Sequence, residues 1–251
     1  MSSPTPRKPN RPRGALGGIQ SRRWNTLLLV ALIAVAAWLT VPGLGPNVLG
    51  LGTGGTNTGE NEPLLAQLEE LRLDLPQGTP EYDRAEFGDG WADLDGDDCN
   101  TRNEILARDL TDVTYRQNTN DCVVQAGVLD EPYTGETVEF ERGEGTSELV
   151  QIDHVVALGN AWRSGAWQWD DGQRLRFAND PLNLLAVDGE ANYDKGASSA
   201  DQWLPPNDDF VCEYVARQVA VKHKWDLSVT PKEATAMREI LSSCPEVTID
   251  E

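Results

Sequence analysis

Residues 149–154 read LVQIDH, and residues 183–196 read NLLAVDGEANYDKG. The first stretch predicts a short strand that leads into the polar pair Asp153-His154. Taken alone, an acid–histidine pair is an ordinary feature of a strand end. The second stretch makes a functional site the better interpretation, because it adds two amides nine positions apart and a lysine three positions later: Asn183, Asn192 and Lys195.

The two stretches resemble the HNH, or ββα-metal, endonucleases. Their pattern is a strand with Asp-His, a loop of variable length, Asn-Leu-x-x-Leu, and then Asn or His followed by x-x-Lys-Gly. The neighbouring strings DHVVALGNAWRSGAW and WLPPN resemble the exported subgroup called DUF1524 or the GmrSD C-terminal type. The resemblance runs from about Glu81 to Pro245. Many members hold a structural zinc with cysteine pairs near the middle Asn; this chain has Val187 and Ala191 there, so no structural zinc is expected.

The resemblance implies hydrolysis of a phosphodiester, which needs a base for the water and a cation for the developing charge. His154 is the expected general base, since a near-neutral imidazole accepts a proton at physiological pH. Asp153 and Asn192 are expected to ligate Mg²⁺ or Mn²⁺ through oxygen. Asn183 is expected to orient the loop that carries the base, and Lys195 to contact a phosphate oxygen as a point charge.

Other polar and aromatic residues are open to two interpretations. Arg163 is either a second phosphate clamp or a surface charge. Arg102 and Glu104 could reach the active site, but the sequence does not place them. Four tryptophans flank the predicted finger, and a core role is favoured over stacking on bases; they are Trp162, Trp167, Trp169 and Trp203.

The stretch DLDGDDC begins at Asp93 and places carboxylates at alternate positions, with Glu104 twelfth when Asp93 is first. An EF-hand loop has this layout but needs Gly at its sixth place, where this chain has Asp98. A solvated acidic turn is therefore favoured, and Ca²⁺ at Asp93, Asp95, Asp97 and Glu104 is the alternative.

The chain before residue 63 predicts export. Residues 1–23 hold six basic groups and no acid, and residues 24–41 include thirteen consecutive apolar residues from Leu27 to Leu39. This length is borderline between a membrane anchor with its N-terminus inside and a cleaved signal peptide. Residues 42–62 contain seven Gly and predict a flexible linker, which leaves residues 63–251 as the folded domain.

Local patterns within that domain predict an α+β fold. A short amphipathic helix is expected at 63–71, a second helix capped by Asn100 or Thr101, a hairpin within 121–140, a helix at 211–224 and a last helix from Pro231. With the resemblance, this becomes a disulfide-braced domain with a ββα-metal finger at about 148–203 and C-terminal helices. Of the three possible pairings of the four cysteines, Cys99–Cys122 and Cys212–Cys244 are favoured, because each closes a short loop.

The formal charge of −20 excludes a basic DNA-packaging protein. The expected function is an exported, metal-dependent endonuclease of low sequence specificity, with DNA favoured over RNA as its partner. A membrane contact is expected if the N-terminal segment is not cleaved, and no obligate protein partner is expected. A catalytically silent, surface-anchored Ca²⁺-binding module and a hydrolase of another phosphodiester are the alternatives.

Overall fold

A computed structural model describes residues 61–249. The basic segment 1–23, the apolar segment 24–41 and nearly all of the linker lie outside the described residues, so their predictions stay predictions. Within the described part, no helix combines the length and apolar character needed to cross a membrane.

Residues 61–249 contain seven α-helices and five strands, which are joined by loops and short 3-10 turns. The helices are α1 (Glu62–Glu70), α2 (Thr101–Asp109), α3 (Leu158–Arg163), α4 (Asp171–Ala178), α5 (Gly189–Lys195), α6 (Val211–Lys224) and α7 (Pro231–Ser243). The strands are β1 (Leu110–Tyr115), β2 (Val124–Asp130), β3 (Thr137–Glu141), β4 (Val150–His154) and β5 (Leu184–Asp188). The α+β fold class and the C-terminal helices are confirmed.

The strands form two separate antiparallel sheets. β1, β2 and β3 lie in chain order, and the predicted hairpin is the β2–β3 pair, in which Leu129 lies opposite Val138. β4 pairs with β5, so that His154 lies opposite Leu184. α5 follows β5 directly and contacts both strands. β4, β5 and α5 therefore form a strand–strand–helix unit between residues 150 and 195.

Two layers of apolar side chains support this strand–strand–helix unit. α2 lies between the two sheets, because Ile105 and Leu106 are buried in one cluster with Phe140 of the first sheet and Ile152 of the second. On the other side, Val187 of β5 belongs to a cluster that also holds buried side chains of α1, α6 and α7. The site at the end of β4 is thus set between packed elements.

Both favoured disulfide pairings are confirmed. Cys99–Cys122 ties the residues before α2 to those before β2, and Cys212–Cys244 ties the start of α6 to the end of α7. Loops of 23 and 32 residues correspond to about 3–4 kcal/mol of stabilisation each by the chain-entropy relation.

The folded part includes two residues that were predicted to belong to the linker, Asn61 and Glu62. The Asn61 side chain is 3% exposed and donates to the carbonyls of Leu241, Cys244 and Pro245, while its oxygen accepts from the Val247 amide. Glu62 already begins α1. Asn61 and Glu62 therefore belong to the fold, because this amide joins the start of α1 to the end of α7.

Candidate active site

His154 closes β4 and is 6% exposed. Its Nε2 lies 2.8 Å from the carbonyl oxygen of Ala178, which can only accept, so Nε2 carries the ring hydrogen. Nδ1 is then the atom with a free lone pair, and it contacts no donor among residues 61–249. Burial lowers the pKa of His154 to about 3, with the Ala178 carbonyl opposing the change. The ring is therefore neutral at physiological pH and able to accept a proton at Nδ1.

Asn183 is fully buried and holds the backbone that follows His154. Its Oδ1 accepts from the Val156 amide at 2.8 Å, and its Nδ2 donates to the Val156 carbonyl at 3.2 Å. The Asn183 backbone carbonyl also accepts from the Val155 amide at 2.8 Å. These contacts fix the turn after β4 to the start of β5, which is the geometry an orienting residue needs.

Asp153 points into a buried polar cluster at the same strand end. The Tyr133 hydroxyl donates to its Oδ2 at 2.6 Å, and the Lys195 ammonium lies 3.1 Å from both carboxylate oxygens. Burial raises the pKa of Asp153, although Lys195 and the Tyr133 hydrogen bond act in the opposite direction. Each carboxylate oxygen has more than one acceptor site, so these contacts leave room for a further ligand.

Lys195 is placed differently from the expectation. Its side chain is 0% exposed, and its Nζ also donates to the His154 carbonyl at 2.9 Å. Instead of facing a phosphate, the ammonium compensates the Asp153 charge and holds the His154 backbone. Lys195 therefore lies next to Asp153 and His154, as the N-x-x-K spacing predicts. Its side chain, in the last turn of α5, points into the interior beneath β4 and not into the cleft.

Asn192, Asp153 and His154 line one cleft of about 490 Å³. The Asn192 Nδ2 donates to the Gln151 Oε1 at 2.9 Å. Its amide oxygen is therefore the atom that remains for a ligand. A carboxylate and an amide oxygen on one cleft wall are the donors that a hard divalent cation prefers, so the residues present fit Mg²⁺ or Mn²⁺.

Arg163 lies at the rim of this cleft. It is exposed, and its Nη2 donates to the Ala197 carbonyl at 2.6 Å, but Arg163 itself is not among the lining residues. Ala197 does line the cleft. The arginine therefore holds a wall residue in place, and the phosphate clamp remains only a prediction.

Three residues at the site were missed by sequence reasoning: Tyr82, Arg84 and Trp91. Trp91 stacks on His154, with ring centroids 5.6 Å apart and an interplanar angle of 8°. Arg84 lines the 490 Å³ cleft and a second cavity of about 310 Å³, and His154 lines both as well. The sequence offered one weak sign of a binding role for this segment, namely that Arg84 stands between the aromatic residues Tyr82 and Phe87. These residues belong to none of the motifs.

The acidic loop lies apart from this cleft. One carboxylate oxygen from each of Asp93, Asp95 and Asp97 lies within 4.8 Å of the others, and all three residues are exposed. Glu104 is outside this group, but partial burial and then the three aspartates raise its pKa. Ca²⁺ binding at the loop stays a prediction.

Arg102 donates to the Val150 carbonyl at 3.2 Å and so supports β4 from outside the cleft.

The core interpretation of the tryptophans is confirmed. Trp162 is buried, with Trp167 and Trp169 packed on the same cluster, and Trp203 packs on the cluster around α6.

Residues 100–240 match the family described as GmrSD restriction endonucleases, C-terminal domain. A protein of Arthroderma benhamiae described as an uncharacterized secreted protein is 39% identical over 172 residues, which is 67% of this chain and 79% of that protein. No solved structure matches the chain. Since the family match covers more than half of the 251 residues and includes the whole strand–strand–helix unit, the chain belongs to the GmrSD restriction endonuclease C-terminal domain family.

Proposed function

We propose that this protein is a metal-dependent endonuclease of the HNH type, which hydrolyses phosphodiester bonds of nucleic acid with His154 as the general base. The family gives a nuclease-related role. The observation that carries the finer assignment is the single cleft lined by Asp153, His154 and Asn192. The unit of β4, β5 and α5 then serves as the ββα finger.

The proposed chemistry starts from the neutral imidazole. With Nε2 committed to the Ala178 carbonyl, Nδ1 takes a proton from the water whose oxygen bonds to phosphorus. One P–O ester bond breaks in exchange, and its oxygen leaves with the departing strand and takes a proton from solvent. Burial makes His154 a weak base in the free protein, and a phosphate bound in the cleft raises its basicity because the nearby negative charge favours the imidazolium. Asn183 holds the following turn, so the ring keeps its orientation when the proton arrives.

Asp153 and Asn192 are the residues that would hold Mg²⁺ or Mn²⁺. When bound, the ion supplies positive charge for the phosphorane and the leaving oxygen. Lys195 pairs with both carboxylate oxygens and so favours the ionised form of Asp153, against the effect of burial, which raises the pKa. Cleavage is proposed to follow the shape of the backbone and not the base sequence, with DNA favoured over RNA.

The proposed location is extracytoplasmic. The two disulfides require an oxidising compartment, and the relative from Arthroderma benhamiae is described as secreted. Whether residues 24–41 remain as an anchor or are removed is a separate question, answered by the N-terminal sequence of the mature protein.

The test is nicking of supercoiled plasmid by the full oxidised chain in a mild detergent. Activity is expected with Mg²⁺ or Mn²⁺, and loss of it with EDTA and in His154→Ala. Asn192→Ala, at a half-buried position, is a second variant that should be inactive while keeping the wild-type melting temperature. An intact plasmid with every metal would contradict the proposal.

Small phosphodiesters assayed beside DNA separate the alternatives. Cleavage of the small substrates alone would assign another phosphodiester to the same site. Inactivity on every substrate, with Ca²⁺-dependent stabilisation, would favour the silent binding module.

A further inference from the structure

The segment 80–92, called here the strap, crosses the wall of the cleft and lies outside the part of the chain that matches the family. Three contacts fix its two ends and its middle. The Pro80 carbonyl accepts from the Trp162 indole at 2.9 Å, Phe87 is 2% exposed within an apolar cluster, and the Ala92 amide donates to the Asn179 Oδ1 at 2.9 Å.

A fourth contact comes from the buried Arg174, whose Nε donates to the Glu86 carbonyl at 2.9 Å. The strap also turns at Gly88, where φ is +97° and a Cβ would lie 2.8 Å from the Leu175 Cδ1. A side chain there would be strained and would displace Leu175. The path of the strap is therefore set by the domain on which it lies.

These anchors place Arg84 where the two cavities meet. The 310 Å³ cavity lies between the strap and His154, and the 490 Å³ cleft holds Asp153 and Asn192. Of the residues that the structure describes, three line both cavities: Arg84, His154 and the apolar Leu158. Arg84 and His154 are the polar pair among them. Of these two side chains, Arg84 is the one that carries a permanent positive charge.

We propose that Arg84 binds a backbone phosphate of a nucleic acid that runs through both cavities past His154. The strap is then part of the substrate-binding site, although it precedes residues 100–240, which match the family. The smaller cavity also has the carboxylate of Asp89 on its wall. A phosphate is therefore held at the Arg84 junction or on the side of the larger cleft, and the smaller cavity takes the adjoining sugar or base. This inference rests on the proposed nuclease function.

Binding of a fluorescent duplex oligonucleotide in Mg²⁺ tests the proposal. All proteins carry His154→Ala so that the substrate stays intact, which a gel verifies. Arg84→Gln should weaken binding about tenfold at low salt and reduce the slope of log K against log salt by about one. Arg84→Lys keeps the charge and should recover most of the affinity.

Arg116→Gln is the matched control, because Arg116 is an exposed arginine between β1 and β2 and lines neither cavity. It should leave both affinity and salt slope close to those of the parent. Equal effects of Arg84→Gln and Arg116→Gln would overturn the inference, as would an oligonucleotide that does not bind at all. Failure of the nuclease proposal is recognised separately: wild-type protein would leave plasmid intact, while the Arg84 difference in binding would persist.

Discussion

Replacing Lys195 by Met removes the cation that lies against Asp153. Lys195 is 0% exposed, its Nζ is 3.1 Å from both carboxylate oxygens, and it also bonds the His154 carbonyl at 2.9 Å. Met has a similar volume, so the substitution removes charge and hydrogen bonds while creating little cavity. Asp153 would keep the Tyr133 hydrogen bond and lose its charge partner.

Breaking a buried ion pair from one side costs about 3–5 kcal/mol. For a domain of this size each kcal/mol lowers Tm by about 2–4 °C, so the expected decrease is about 6–20 °C. Burial already raises the pKa of Asp153, and loss of Lys195 raises it further. A raised folded-state pKa means that the unfolded chain binds fewer protons, so the defect should grow as pH rises through that pKa and shrink in acid.

The assay is thermal and urea unfolding of the full oxidised chain in EDTA, which keeps metal from replacing the lysine. Arg238→Met is the control, because Arg238 also lies near a carboxylate, Glu69 at 4.0 Å, but both side chains are exposed, by 48% and 69%. It should cost about 0–1 kcal/mol. Adding Asp153→Asn to Lys195→Met should recover part of the stability. A loss below about 1 kcal/mol for Lys195→Met would refute the reasoning.

Two further substitutions probe the ends of the fold and the site. Asn61→Ala leaves buried carbonyls at the end of α7 without their donor. The free energy of unfolding should therefore fall by about 1–3 kcal/mol, and an unchanged midpoint of urea unfolding would contradict this. Trp91→Leu exposes a face of the His154 ring, so kcat should fall about ten- to a hundredfold with KM nearly constant, and Trp91→Phe should restore most of it. A rise in KM alone would assign Trp91 to substrate binding instead.

The elements that the sequence predicts are those with a strong local signal. α6 and α7 have apolar residues at helical spacing, and Pro231 stands at the first turn of α7 as expected. α4 was missed although its start carries a capping box of Asp170 and Gln173. α3 has only six residues and no side-chain cap. Its helical form depends on burial of nearly every residue, which only the tertiary structure supplies.

β1 illustrates a second reason for failure. Its ladder with β2 is irregular, and Asp112 within it has φ of +51°. Alternation of apolar and polar residues is therefore interrupted, and period-two reasoning finds no strand.

The residues of the candidate site likewise fall into two groups, those that the sequence predicts and those that only the tertiary structure brings to the site. Asp153, His154, Asn183 and Asn192 occur in two short motifs, and the resemblance of these motifs to the HNH endonucleases named them as candidates. The contact of Arg84 and Trp91 with the site was not predictable, since it depends on partners such as Trp162 and Asn179, about 80 positions downstream of the strap. Lys195 was found, but its direction depends on the packing of α5 against β4 and β5.

The overall charge of −20 and a polyanionic substrate are compatible only through the local balance at the cleft. Among the residues that line the two cavities, the carboxylates of Asp89 and Asp153 face the one arginine, Arg84, and Lys195 compensates Asp153 from below. The two cavities together are thus close to neutral before any ion binds. A divalent cation on Asp153 and Asn192 would make them positive, so on this proposal metal governs the affinity for a phosphate chain as well as the chemistry. Arg84 then provides the permanent positive charge that fixes where the chain crosses His154.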